Sequence, residues 1–466
     1  METSLSQALR RFEQLIVRDA ESFTNPLERQ IEFQRRLERT RRLMTYLGDP
    51  QNAYNLIHIG GTSGKGSVAM LCESMLMAMG LKTGTHTTPY LQTPLEKARV
   101  NGRLIAVEEV VALSEGVISA VEQVRLDEHE LGAPHYAEAW LGLALTYFAD
   151  QGCEAGVIEV GMGGRYDCTN VVLPRVSVIS TVHYDHVRVL GDTLEEIAYH
   201  KAGIIKPGVP VVVGEVPPAA LTVIEQEAVH RGARPIRLGH EIHYEPLEVS
   251  QHGGRFSYRG THLRLDDLHI GLLGAHQLVN ATVALAALEA YAAGQGLALD
   301  EAAIRQGLAQ ARFAGRLEVM QRQPMVVLDG AHNEEKMGAL TVALRELFRY
   351  RRLILVLGLL EVKSVTAILR LLASVADVVI TTAPQVRGKP ALPADELAEL
   401  AREAGVREVR VGGMPMEALE QALGLAGPDD LVVCTGSLYL IGTLRSYWQP
   451  VDKVIACRTT FPNGAA

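Results

Sequence analysis

Cysteines, aromatic residues and long apolar runs are all scarce in this chain. The five cysteines (Cys72, Cys153, Cys168, Cys434 and Cys457) are odd in number and widely spaced, and no CxxC pair occurs. This spacing speaks against a disulfide framework or a structural zinc site, and a reducing cytoplasm is the expected compartment. No stretch approaches the roughly 18 unbroken apolar residues of a membrane-spanning helix. The N-terminal METSLSQALRRFEQLIVRD is charged and amphipathic, without the apolar centre of a signal peptide. Positive charge is also short: 45 Lys and Arg against 54 Asp and Glu give a net charge of −9. A protein that coats nucleic acid or lies on a membrane is usually basic, so neither partner is expected. Small anionic substrates stay compatible, because a site needs only local positive charge.

What is present is apolar material and glycine. Hydrophobic residues make up 47% of the 466 residues, which is ample for buried cores. At about 150 residues per domain, length alone suggests roughly three domains. Apolar β-branched runs alternate with helical patterns. One series of strands is expected at 55–59, 155–160, 176–181 and 209–213, and a second at 325–328, 353–357, 377–381 and 430–435. This alternation predicts an α/β fold with mainly parallel sheets covered on both faces. Residues 240–270 alternate polar and apolar with Gly turns, and read as antiparallel hairpins at the edge of the first sheet. Helices are expected over 274–294 and 299–311. The RFAGR segment then interrupts the pattern and sets a two-domain division, 1–312 and 313–466. The tail after Gln449, ending PNGAA, is expected to be partly unordered.

The strongest local signal is HIGGTSGKGS at 58–67, between an apolar strand and a helical run. Glycines there let backbone N–H groups turn around phosphate oxygens. The helix N-terminus adds positive potential, Lys65 can bridge terminal phosphates, and the Ser67 hydroxyl can hold Mg²⁺. Gly66 stands between Lys65 and Ser67, so the generic GxxxxGK[ST] template does not fit.

The GTSGKGS segment resembles the GTNGKGS loop of folylpolyglutamate synthases and dihydrofolate synthases, within the Mur ligase superfamily. TTPYL…EKARVNG (87–102), EVGMGGRYDCTNVV (159–172) and DHVRVLGDTLEEIAYHKAGIIKPGVPVV (185–212) are similar to family segments. So are LLGAHQLVNATVALAALEA (272–290), GRLEV (315–319), LDGAHN (328–333) and TGSLYLIG (435–442), in the family's order. Together they span about residues 40 to 445. The resemblance implies a P-loop ATPase domain with a mainly parallel sheet and antiparallel edge hairpins, followed by a smaller Rossmann-like domain. It also implies an ATP-dependent amide ligase. The enzyme would phosphorylate the carboxylate of a folate or dihydropteroate and join it to L-glutamate, releasing ADP and phosphate.

That chemistry brings a carboxylate and a triphosphate together, so cations, metal ligands and N–H nests should matter more than a nucleophilic side chain. By resemblance, Gly61, Thr62, Ser63, Gly64, Lys65, Gly66 and Ser67 hold ATP, with Asn280, Arg316 and Asp329. Ser67, Glu159 and His186 would ligate Mg²⁺, with Lys201, as a carbamate, holding a second ion. Alone, a strand-end glutamate is as readily a solvated loop residue, and a helical lysine is usually on the surface. Lys201 lies in a helix expected to begin at Asp192, with Glu195 completing a capping box. Carbamylation requires a neutral amine, hence burial or cationic neighbours. His332 would lie near the reacting phosphate; Lys65, Lys201 and His332 form the catalytic set. Thr88, Pro89 and Tyr90 would line the pterin site and Ser437 would help hold glutamate, although Ser437 is equally placed to cap a helix. The resemblance leans towards a monomer.

Several positions depart from the family pattern. Ser63 replaces Asn, Tyr90 stands where His is usual, and Thr93-Pro94-Leu95 precede Glu96 where a Phe-Asn pair is common. In GLLEVKS, Val362 and Ser364 flank Lys363 where the pattern is DKD. The ATP motifs are therefore better kept than the acceptor motifs.

Overall fold

The computed structural model describes residues 2–16, 26–361, 365–386 and 390–464. Val362, Lys363 and Ser364 lie outside the described residues, as do the last two of the PNGAA ending, Ala465 and Ala466.

An eight-stranded sheet organises the first part of the chain. Its order is Arg103–Leu104, Arg99–Val100, Thr83–His86, Ala155–Glu159, Asn55–Gly60, Val176–Thr181, Val211–Glu215 and Pro235–Arg237. The last six strands run parallel, and the first two add an antiparallel edge. Alternate residues serve opposite faces, as the two-residue pleat requires. Ile57, Ile59 and Val157 pack with the helices Lys65–Ala78, His276–Ala293 and Glu301–Gln310. Leu56 and Ile158 face the other way, against Trp140 and Phe148 of the helix Tyr136–Asp150. All of these side chains are fully buried, each contributing about 1.5–3 kcal/mol of hydrophobic stabilisation.

The antiparallel strands expected in 240–270 do form, at His243–Ser250, Gly253–Arg259 and Arg264–Ile270. They pair only with one another in a three-stranded sheet, apart from the eight-stranded one. Just beyond the last parallel strand an isolated bridge joins Leu238 to Ile242. Phe256, Leu265 and Leu268 instead bury themselves with the helix His276–Ala293.

A six-stranded sheet with its own cores organises the rest, in the order Glu318–Arg322, Met325–Leu328, Leu431–Thr435, Leu353–Leu357, Val378–Thr381 and Glu408–Val411. All but the first strand are parallel. The tail after Gln449 is more structured than its composition suggests. Val451–Cys457 is helical, and Arg458 beyond it donates to Leu104 O at 2.8 Å and to Tyr147 Oη at 3.0 Å. The C-terminal segment thus returns to the first sheet. At its root, fully buried Arg445 pairs with Glu318 at 2.7 Å.

Candidate active site

Register alone brings the key strand ends together. Ile59 pairs with Glu159 and Gly60 with Ile179, so the phosphate loop, Glu159 and Thr181 share one carboxyl edge, where open α/β sheets bind ligands. The loop is fixed by backbone and hydroxyl contacts. Thr62 N–H donates to Thr181 O at 2.9 Å, Ser63 N–H to Thr181 Oγ1 at 2.9 Å, and Ser180 Oγ donates to Ser63 O at 2.6 Å. Gly61 and Gly64 have φ of 140° and 80°, and a Cβ on them would overlap Ser180 Oγ and Asn280 Oδ1. A Cβ on Gly66 would lie 2.7 Å from the Phe313 ring. Gly61 and Gly64 are therefore required by close approach as well as by backbone angle, and Gly66 by close approach to Phe313. Lys65 Nζ donates to Gly61 O at 3.0 Å and Thr62 O at 3.2 Å, folding over the loop, while Ser67 is buried in the first helical turn.

Glu159 is buried directly beneath this loop. Its Oε2 accepts the Thr88 N–H at 3.0 Å. Burial pushes its carboxyl above the ordinary value, against the pull of Lys65, the Thr88 N–H, Arg316 and Arg99. A carboxylate that costs desolvation to ionise is suited to meet a cation. No group of three or more His, Cys, Asp or Glu that could hold a metal occurs among the described residues. Mg²⁺ commonly uses one or two carboxylates together with substrate phosphates. Ser67 and Glu159 fit that donor set. His186 is more open, 42% exposed, at the start of a short turn and 3.9 Å from Asp185.

Lys201 is only 2% exposed. Burial, then Lys65, lowers its amine to about 7, with Asp185 pulling the other way. Its helix is Leu194–Ala202, and the capping box is Thr193 with Glu196, one residue beyond the expected pair: Thr193 Oγ1 accepts the Glu196 N–H at 3.2 Å. Thr193 takes the role because its extended backbone aims the hydroxyl into the first turn. Gly203 follows because a Cβ there would overlap Arg165 of the GMGGR turn.

The second sheet presents its own strand ends to the loop. Asp329 is used by the backbone: its oxygens accept Leu317 N–H at 2.9 Å and Ala331 N–H at 2.8 Å, tying the linker to the strand end. His332 Nδ1 lies 2.7 Å from Gly330 O, and Nε2 lies 3.2 Å from Lys336 Nζ. Burial and Lys336 hold the imidazole well below its ordinary pKa. Glu335 reaches across, accepting from Ser63 Oγ at 3.1 Å and lying 3.5 Å from His183 Nε2. Arg316 stands over the Phe313 ring and lines the interdomain cleft with Glu159, Thr88 and Pro89. Asn280 donates to Gln277 Oε1 at 2.9 Å while packing on Gly64. Tyr90 is half-buried beside Lys97. Ser437 caps the helix Leu438–Arg445, accepting the Tyr439 N–H at 3.2 Å.

Two domain profiles match the chain: the Mur ligase middle domain over residues 59–288 and the Mur ligase glutamate ligase domain over 315–438. A dihydrofolate synthase/folylpolyglutamate synthase of Bacillus subtilis (strain 168) is 34% identical over 415 residues, 88% of this chain and 94% of that protein. The chain belongs to the folylpolyglutamate synthase/dihydrofolate synthase family. Its members are ATP-dependent ligases, and this chain is one of them. Mycobacterium tuberculosis folylpolyglutamate synthase complexed with ADP superposes with a TM-score of 0.87, at 32% identity over 96% of this chain and 98% of that one. An FPGS–AMPPCP–folate complex gives 0.81, at 30% identity over 95% and 99%.

Sequence reading passed over some residues of this family site. Arg99 is buried, lines the cleft, and has an Nε with no hydrogen-bond partner, 3.7 Å from Glu73. It lies within the EKARVNG motif, where the burial of a guanidinium is not visible from spacing. Glu96 holds the same loop by accepting the N–H groups of Leu91, Gln92 and Thr93. Lys336 and Glu335 fall one turn past DGAHN, and only the fold aims them at the phosphate loop.

Proposed function

We propose that this protein joins L-glutamate to the carboxylate of a folate, a dihydropteroate or both. The observation that carries this reading is the convergence on one cleft of the glycine loop, the buried Glu159 and the amine-rich face of the second sheet. The γ-phosphoryl of ATP passes to an acceptor carboxylate oxygen, giving an acyl phosphate and ADP. The glutamate amine then attacks the acyl carbon, and phosphate leaves with that oxygen. The Gly61–Ser67 N–H groups and Lys65 orient and neutralise the triphosphate. Asn280, Arg316 and Asp329 complete the nucleotide site, and Asp329 also sets the linker that carries Arg316. His332 holds a neutral imidazole at the reacting phosphate. Thr88, Pro89 and Tyr90 line the acceptor side, and Ser437 offers its helix N-terminus to the glutamate carboxylate.

Ser67, Glu159 and His186 would hold one Mg²⁺, and Lys201, as a carbamate, a second. Such ions neutralise phosphate charge. The buried, partly neutral amine of Lys201 supports carbamylation, which replaces a costly buried cation with an anion. The working division is 1–312 and 313–466, with both parts closing over ATP. The protein acts as a cytoplasmic monomer on small molecules. No helix among the described residues is long and apolar enough to cross a membrane.

The test supplies purified protein with ATP, Mg²⁺, labelled glutamate and, separately, dihydropteroate, dihydrofolate and tetrahydrofolate. Acceptor-dependent ADP release with label incorporated is expected. Turnover only with an unrelated carboxylate would move the acceptor assignment, and nucleotide binding without turnover on any acceptor would overturn the ligase reading.

A further inference from the structure

Lys336 belongs to none of the motifs that carry the family resemblance, yet its ammonium lies 3.2 Å from His332 Nε2, one residue from the contact between Glu335 and the phosphate loop. It is the third residue of the helix Glu334–Leu347, whose cap Asn333 accepts the Lys336 N–H at 3.0 Å. That helix start is docked on the phosphate loop: the neighbouring Glu335 accepts from Ser63 Oγ at 3.1 Å. The backbone that carries Lys336 is thereby fixed beside the phosphate loop.

Its contact with His332 fixes the hydrogen-bond polarity. Gly330 O can only accept, so His332 Nδ1 carries the proton in the 2.7 Å contact. Nε2 of the neutral ring is then an acceptor, and the Lys336 ammonium donates to it at 3.2 Å. One of the three ammonium N–H groups is thus accounted for. We infer that Lys336 is a phosphoryl-binding cation of this site, reaching the γ-phosphate from the second sheet while His332 orients it. Lys65 approaches from the loop itself, so the transferred group would be held between two lysines from different domains.

The surrounding charges agree with that role. Burial lowers the Lys336 amine to about 8; Asp185 opposes this, while Lys65 and Arg316 add to it. Arg316, Lys65 and Lys336 therefore act on one another at one place, with Asp185 and Glu335 opposing them, and a polyanionic phosphoryl group set among the cations would relieve their repulsion. Lysine suits the task as a compact point charge.

The inference rests on the phosphoryl-transfer reading above, but nucleotide binding tests it without turnover. Affinities for ADP and for the non-hydrolysable analogue AMPPCP are measured with Mg²⁺ on the wild type, Lys336→Gln and Lys336→Arg. The expected result for Lys336→Gln is an AMPPCP affinity about tenfold or more weaker, with ADP changed less than about threefold, because only AMPPCP carries the third phosphoryl group. Lys336→Arg should recover most of the loss, which a merely structural lysine would not require. Equal changes for both nucleotides, or for neither, overturn the inference. In turnover, Lys336→Gln should lower kcat about 100-fold with little change in the KM for glutamate. A wild type that binds both nucleotides yet turns over no folate would sink the ligase reading, while the AMPPCP-to-ADP comparison would still decide Lys336.

Discussion

Replacing Lys201 with methionine should make the protein more stable and far less active, with a characteristic pH signature. The amine is buried and lowered from 10.5 to about 7, first by desolvation and then by Lys65. That displacement corresponds to about 5 kcal/mol against the charged form. Below pH 7 the folded chain must carry the buried ammonium, and the full cost applies. Between pH 7 and 10.5 the unfolded chain binds a proton that the folded chain does not, so wild-type stability rises with pH through this window. Above it the cost vanishes. Met has nearly the same shape without the charge. Water entry and relaxation take up part of the upper bound, so in CO₂-free buffer Lys201→Met should gain about 2–3 kcal/mol over wild type at pH 6 and less than about 1 kcal/mol at pH 10. Urea unfolding at the two pH values reads this directly. Turnover should fall at least about 100-fold if, as proposed, the Lys201 carbamate holds a metal ion. A variant less stable than wild type at pH 6, or a difference that does not change with pH, would refute the reasoning.

Other substitutions probe the remaining parts of the cleft. Lys65→Ala should lower kcat/KM about 1,000-fold in the ligation assay with little change in unfolding free energy; near-normal turnover would remove Lys65 from the phosphate site. Gly64→Ala places a methyl group against Asn280 at a φ of 80°, and should cost about 2–4 kcal/mol by chemical denaturation together with most of the ATP affinity. Glu159→Gln removes a carboxylate that burial makes hard to ionise, so the variant should be at least as stable as wild type at pH 7 in thermal melts while losing Mg²⁺-dependent turnover. Arg445→Ala strands Glu318 at the root of the returning tail, and should destabilise by about 3–5 kcal/mol; a loss under about 1 kcal/mol would show that the pair is not the fastening the geometry indicates.

Much of this architecture was legible because apolar period and glycine punctuation are local signals. The strands 176–181, 325–328 and 353–357 fall where the apolar runs stand. The hairpins of 240–270 were readable as antiparallel, but which sheet they joined was not, because pairing partners depend on Phe256 and Leu268 finding the helix His276–Ala293. The capping box moved by one residue because Asp192 and Thr193 are both good caps, and tertiary context chose the threonine. The ordered tail was missed for a similar reason, since Arg458 is anchored by Leu104 and Tyr147, more than 300 positions earlier. At the site, motif residues such as Lys65, Ser67 and Glu159 were readable from their loops. The electrostatic surroundings were not: the burial of Lys201 and the backbone duties of Asp329 depend on tertiary packing, and the approach of Glu335 to Ser63 exists only once the two sheets meet.

The central claim is acyl-phosphate ligation to a folate carboxylate, and an oxygen-transfer measurement tests it most directly. The acceptor is prepared with ¹⁸O in its reacting carboxylate and incubated with the protein, ATP, Mg²⁺ and L-glutamate, and the released phosphate is analysed by mass spectrometry. One ¹⁸O atom per phosphate, appearing together with ADP and the glutamylated product, is the predicted result. Phosphate released without label, or ADP formed at the same rate without the acceptor, would contradict it.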